Sequence, residues 1–143
     1  QLCSSFSEGD GNLNDDPYLV LLRAALSRAY APYSNFSVGA VVRAQSGALY
    51  SGANVENAAY PEGLCAEASA IAAMVMAGER RLIEVAVMAT GKALCSPCGG
   101  CRQKIAEFAL PEALIRLYSP DALRAVFSLA ELLPHSFTAE HLN

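Results

Sequence analysis

Two short motifs limit what this chain can fold into. Cys65-Ala66-Glu67 opens one predicted helix, and Pro97-Cys98-Gly99-Gly100-Cys101 opens the next. Zinc takes four ligands, often thiolates, and a catalytic zinc site keeps one of the four positions for water. The two-residue gap between Cys98 and Cys101 lets one turn of chain grip a metal twice, and Cys65 can supply a third ligand. Both motifs fall at helix N-termini, where unpaired amides and the positive dipole end favour thiolates. A fold for this chain has to bring those two helix ends together.

The cysteines leave alternatives. Cys95-Ser96-Pro97-Cys98 is also a Cys-x-x-Cys, so Cys95 can replace Cys101, or all four can close a structural site. Cys98 and Cys101 are favoured, because Gly99 and Gly100 let the backbone approach a metal closely. Cys65 taken alone reads as a small buried apolar residue. Glu67 and the second motif change that. A carboxylate in a helix otherwise made of Ala, Ile and Met needs a partner or a task. Beside zinc-bound water it can take a proton and return it to a leaving group; the plainer alternative is a first-turn Glu favoured by the helix dipole.

Bulk properties narrow the partners. The chain has 143 residues, 53% of them hydrophobic, enough for one domain with one core. The net charge is −4 at pH 7, with few, scattered basic residues. A nucleic-acid polymer calls for a basic face, so none is expected as partner, and a small neutral substrate is compatible. No apolar run reaches the roughly 18–20 residues of a membrane span. The first residues lack the basic and apolar regions of a signal peptide, so a cytoplasmic location is expected. Clustered cysteines there point to metal or catalysis rather than disulfides.

Residues 1–14, rich in Ser, Gly, Asn and Asp, read as a flexible lead-in with Cys3 as a bystander; residues 15–143 read as a single domain. Asp16-Pro17 starts a helix running to about Tyr30, with Leu21, Leu22, Ala25 and Ala29 as its apolar face. Residues 36–44 and 48–55 form a β-hairpin around Gln45-Ser46-Gly47. A loop follows to Leu64, then a helix over 65–77, buried on most sides and stopped at Gly78. Strand 83–89, helix 98–108 with Pro111 past its end, strands 113–118 and 123–127, and a short helix 128–133 capped by Ser128 complete the order. Helices between strands imply crossovers, and the hairpin implies an antiparallel pair. The predicted fold is α/β, a mixed five-stranded sheet with helices on both faces.

Taken together, the motifs resemble the cytidine deaminases. Asn-Val-Glu-Asn-Ala-x-Tyr-Pro from Asn54 precedes Cys-Ala-Glu and Pro-Cys-x-x-Cys, and Ala31-Pro32-Tyr33-Ser34, Phe36-x-Val-Gly-Ala, Cys101-Arg102-Gln103 and Glu131-Leu132-Leu133-Pro134 accompany them. The likeness spans about Asp16 to Leu142 and is closest to the short, three-cysteine, homotetrameric branch. It implies one Zn²⁺ per subunit on Cys65, Cys98 and Cys101, activating water for attack on C4 of cytosine. Glu67 would pass protons to ring N3 and to the departing amine, so that cytidine or 2′-deoxycytidine becomes uridine or 2′-deoxyuridine plus ammonia, in pyrimidine salvage. The N–H of Ala66 would hold the ring carbonyl, Asn54 and Glu56 the ribose hydroxyls, and Phe36 would line the base pocket. Phe137 from a neighbouring subunit would stack on the base, and Ala58 and Tyr60 would reach a neighbour's site. Without the resemblance, Asn54 and Glu56 read as a loop exit whose side chains share one face, and Phe36 and Phe137 as core or tail anchors.

Two positions depart from the family pattern. Ala68 stands where Arg or Gln usually follows Cys-Ala-Glu and can donate to the ligand sulfurs, and Cys95 stands where cysteine is not usual. Three thiolates and a hydroxide leave a formal charge of about −2 on the centre, so helix amides must do more or Arg102 must help. The remaining alternatives are a deaminase of a cytosine nucleoside analogue of the blasticidin S type, a non-catalytic four-cysteine zinc module, a thiol redox protein and a polynucleotide deaminase.

Overall fold

A computed structural model describes residues 16–142. The expected lead-in over 1–14, with Cys3, lies outside the described residues. Helix α1 (Pro17–Arg28) starts where the Asp16 side chain accepts the Tyr18 N–H, with Pro17 in the first turn. Its buried face is Tyr18, Leu19, Leu22 and Ala25, turned about one residue from the predicted stripe; Leu21 only flanks it. The helix stops before Tyr30, whose backbone bridges to the segment after the second strand: Tyr30 N–H donates to Asn54 O and Glu56 N–H donates to Tyr30 O.

The sheet holds β1 (Val38–Ala44), β2 (Leu49–Ala53), β3 (Leu82–Ala89), β4 (Ala109–Tyr118) and β5 (Leu123–Ser128) in the order β2-β1-β3-β4-β5. Only β3 and β4 pair parallel; the other neighbours are antiparallel. This is the predicted mixed five-stranded sheet. The strand alternation sends Val41, Ala86 and Met88 to α1 on one face. Ala40, Val42, Val85 and Val87 go to α2 (Ala66–Met76) and α3 (Gly99–Phe108) on the other. Burying each such Val, Leu or Met side chain contributes about 1.5–3 kcal/mol.

Several boundaries differ from expectation for identifiable reasons. Strand β4 begins at Ala109, directly after α3, and contains Pro111. Its pairing with β3 steps from Leu82↔Ala109 to Glu84↔Leu114, an irregular entry where a residue without an N–H is tolerated. Helix α2 is covered on one side only: Ala70, Ile71 and Met74 are buried but Met76 is 85% exposed. Its end is a Schellman turn: Glu79 N–H reaches Met74 O and Gly78 N–H reaches Val75 O, with Gly78 at φ +93°. The short helix α4 (Leu129–Leu132) has Ser128 as its cap, closed into a capping box by Glu131. One-turn 3-10 helices at Tyr60–Glu62 and Ala139–Leu142 lie where loop and tail were expected.

The seating of α2 on β2 decides where Cys65 and Glu67 stand relative to the sheet. A Cβ on Gly52 would stand 2.4 Å from the Ala70 nitrogen and 2.7 Å from the Ala66 oxygen. Glycine at this position lets the first turns of α2 sit against the strand.

Candidate active site

Cys65 is the N-cap of α2 and Cys98 the N-cap of α3. The two helices lie on one face of the sheet, and their N-termini meet. The Sγ atoms of Cys65, Cys98 and Cys101 all lie within 4.8 Å of one another. Tetrahedral zinc with Zn–S bonds of about 2.3 Å sets sulfur separations of about 3.8 Å, so the trio fits that ion after a small closure. Cys101 is fully buried, while Cys65 and Cys98 open toward solvent. Cys95 is left out of the cluster: its Sγ turns to the Ser96 carbonyl at 3.7 Å.

Electrostatics of the trio follow from its place at two helix ends. The Cys101 amide donates to the Cys98 sulfur and holds that thiol below its usual range, against the effect of burial. Burial pushes the Cys65 and Cys101 thiols up. A cation that displaces their protons reverses this, the usual coupling of metal binding to deprotonation. Arg102 does not reach the sulfurs. Its Nε donates to Pro97 O at 2.7 Å, Nη1 to Leu132 O at 2.8 Å and Nη2 to Ser96 Oγ at 3.0 Å. Of the two expected ways to offset the thiolate charge, the amide is the one realised. Ala68 faces elsewhere, into an apolar groove between α2 and α3 lined also by Ile71, Lys104 and Phe108.

Glu67, in the first turn of α2, is 5% exposed. Burial pushes its carboxyl above the usual range, while its own backbone amide, the Cys101 thiol and Lys104 act in the opposite direction. Glu67, Cys65, Cys98 and Ala66 line one cavity of about 380 Å³, together with Phe36, Asn54, Glu56 and Tyr60. Ala66 occupies the first helical position, where a backbone N–H has no intrahelical acceptor. A neighbouring hollow of about 400 Å³ shares Glu56, Tyr60 and Gly63 with this cavity.

Asn54 and Glu56 are anchored more firmly than their residue types suggest. The Asn54 side chain donates to Phe36 O at 2.8 Å and accepts Val38 N–H at 2.9 Å, like an extra residue of the sheet. The Glu56 carboxylate accepts Tyr33 N–H at 3.0 Å, Ser34 N–H at 3.1 Å and the Ser34 hydroxyl. These bonds, the Ser34 hydroxyl first, hold its pKa below the usual range. Asn54 keeps a second N–H, and Glu56 Oε2, which accepts only the Ser34 hydroxyl, keeps acceptor capacity, whereas Oε1 already accepts both N–H groups. Reciprocal backbone bonds between Val55 and Leu64 fold the intervening loop back and bring Glu56 beside Cys65.

The outer residues divide. Tyr60, 78% exposed, borders the cavity of its own chain and packs edge-on to Tyr33. Ala58 is exposed and is not among the residues lining the cavity. Phe137, 57% exposed, also lies outside that lining; it stacks on His141, and its carbonyl accepts from Gln103. Val38, Leu64, Cys95 and Ser96 line the cavity and were not foreseen. Val38 was within reach of sequence reasoning, since it follows Phe36 by two residues in an extended segment and so shares its face.

Comparison with known proteins agrees with this geometry. Residues 14–116 match the model of the cytidine and deoxycytidylate deaminase zinc-binding region. A cytidine deaminase of Sporosarcina psychrophila is 40% identical over 121 residues, 85% of this chain and 89% of that protein. One from Halalkalibacterium halodurans is 39% identical over 115 residues, 80% of this chain and 87% of that protein. The crystal structure of cytidine deaminase from Burkholderia pseudomallei superposes with a TM-score of 0.78 at 37% identity, covering 84% of this chain and 96% of that one. The match over residues 14–116 takes in the thiol cluster, the buried glutamate and strands β1 to β3, and the chain belongs to the cytidine and deoxycytidylate deaminase zinc-binding family.

Proposed function

We propose that the protein is a zinc-dependent hydrolase that converts cytidine and 2′-deoxycytidine to the corresponding uridines, consuming water and releasing ammonia. The observation that carries this reading is Glu67: a nearly buried carboxyl lining the same cavity as two members of a three-thiol cluster. In this reading Cys65, Cys98 and Cys101 hold one Zn²⁺ per subunit. When bound, the ion supplies the Lewis acidity that makes water a nucleophile at neutral pH.

The chain's own groups do the rest. Glu67 takes the proton of the attacking water, gives it to ring N3, and carries a second to the leaving amine. Its burial suits a group that must hold a proton between those transfers without losing it to bulk water. The Ala66 N–H holds the ring carbonyl, and Phe36 forms a wall of the base pocket. Asn54 and Glu56, pinned to the 33–38 backbone, offer their remaining donor and acceptor positions to the ribose hydroxyls. Pinning lowers the entropy lost when the sugar binds. A cavity of about 380 Å³ suits a nucleoside rather than a polymer.

The assembly in this reading is a homotetramer with shared sites. Phe137 then serves a neighbour's cavity, and Ala58 and Tyr60 extend toward a neighbour as well. The exposure of all three supports that role. A cytoplasmic place in pyrimidine salvage completes the reading; no helix among the described residues is long and apolar enough to cross a membrane. The test is uridine and ammonia release from cytidine by the purified protein, with Glu67→Ala alongside. Equal rates would reject the mechanism.

A further inference from the structure

The peptide carbonyls on both sides of the Cys98 Cα, Pro97 O and Cys98 O, are held by one residue, Arg102. The Arg102 backbone N–H donates to Cys98 O at 2.9 Å, the first intrahelical bond of α3. Its guanidinium Nε donates to the preceding carbonyl, Pro97 O, at 2.7 Å. A peptide unit is planar, so fixing Pro97 O fixes the plane that ends at the Cys98 Cα, and Pro97 has its own φ locked. Nη2 adds the Ser96 hydroxyl at 3.0 Å. The fork's remaining nitrogen, Nη1, donates to Leu132 O at 2.8 Å. That carbonyl belongs to the last turn of α4, where carbonyls lack intrahelical partners. The next residue, Gln103, donates to Phe137 O at 2.9 Å.

We infer that Arg102 is a positioning residue that couples the Cys98 loop to the C-terminal segment, and that Gln103 extends the same strap to Phe137. Only a rigid planar fork can reach three acceptors that belong to the Ser96–Pro97 loop and to α4. The two bonds to the loop aim the thiol; the bond to Leu132 ties that aim to the segment from Leu129 to Leu142. Movement of the tail that carries Phe137 therefore reaches the metal-binding loop, and metal binding orders the tail.

This inference rests on the reading of Cys65, Cys98 and Cys101 as zinc ligands, and the test separates the two. Zinc affinity is measured by competition with a chromophoric chelator on the full chain, for the parent, Arg102→Lys and Arg102→Gln. Amide hydrogen exchange is followed over residues 99–102, where the Arg102 N–H bonds Cys98 O, and over 129–142 in the same proteins. Both variants should bind zinc about tenfold more weakly or worse, in the range found when groups behind metal ligands are removed, with faster exchange in both segments. Lysine keeps the charge and the helix but not the fork, so it carries the test if the glutamine variant folds poorly. Val41→Ala, a core truncation on the α1 face, should lower the melting temperature and leave zinc affinity unchanged. Unchanged affinity in both Arg102 variants, faster exchange in one segment alone, or an equal loss in Val41→Ala would overturn the inference. A parent protein that binds no zinc would instead overturn the reading beneath it.

Discussion

The ring of Phe36 lies against Gly91 so closely that a Cβ there would stand 2.7 Å from Phe36 Cε2. The neighbouring connection is fixed as well, because Ser37 N–H donates to Thr90 Oγ1 and the Asn54 amide holds Phe36 O. Gly91→Ala therefore has one easy response, displacement of the half-exposed ring into the cavity. The expected result in steady-state assays is a KM for cytidine raised about fivefold (~1 kcal/mol of overpacking) with a smaller change in kcat. An unchanged KM would show that the ring is not part of the substrate pocket.

Zinc content distinguishes the two Cys-x-x-Cys readings. Cys101 belongs to the sulfur cluster and Cys95 does not. Cys95→Ala should keep one zinc per chain, and Cys101→Ala should lose tight binding, as read by metal analysis after dialysis against a chelator. Loss of zinc in both variants would favour the closed four-cysteine site.

Gly52 reports on the seat of α2. Its missing Cβ would meet backbone atoms of Ala66 and Ala70 rather than a movable side chain. Gly52→Ala should cost about 1–3 kcal/mol, a fall in melting temperature of roughly 2–4 °C per kcal/mol for a chain of this size. Gly47→Ala makes a useful comparison: a Cβ there meets nothing within 4 Å, and its cost comes only from φ +94°.

Alkaline stability should track two buried phenols on the α1 face. Tyr18 donates to Glu84 Oε1 at 3.1 Å and Tyr118 to Asp16 Oδ2 at 2.7 Å. Burial, followed by the Glu84 charge, pushes Tyr18 from 10 up to about 12. Burial and the Asp16 acceptor raise Tyr118 too. The folded state thus holds these protons more tightly than the unfolded chain. Their contribution is complete below pH 10 and is lost as pH rises through the folded values. Melting temperature should fall through that window, and Tyr18→Phe should make the fall shallower.

Much of this was legible in the sequence, for reasons that differ by element. The thiol trio could be read because metal ligation constrains residue type and spacing together, and Glu67 stood out as a lone carboxylate in an apolar helix, where it is buried. The hairpin and the Gly78 stop were legible through local turn chemistry. The start of β4 was not: Pro111 argues against a strand, and only the bulged pairing with β3 accommodates it. The side-chain anchoring of Asn54 and Glu56 was hidden because their partners, at 33–38, lie far off in sequence. Arg102 looked like a counter-ion for sulfur because it follows Cys101, yet its acceptors belong to a loop and a helix end that only the tertiary fold assembles.

In the proposed reaction Glu67 moves protons at a zinc-loaded three-thiol centre to deaminate cytidine. The most direct test is ammonia and uridine release by the parent protein and Glu67→Gln, with zinc content measured in both. The parent should yield uridine and ammonia in equal amounts. Glu67→Gln should retain zinc and turn over cytidine about 10²–10⁴-fold more slowly. Equal rates in the two proteins, or no conversion of cytidine by zinc-loaded parent, would contradict the proposed reaction.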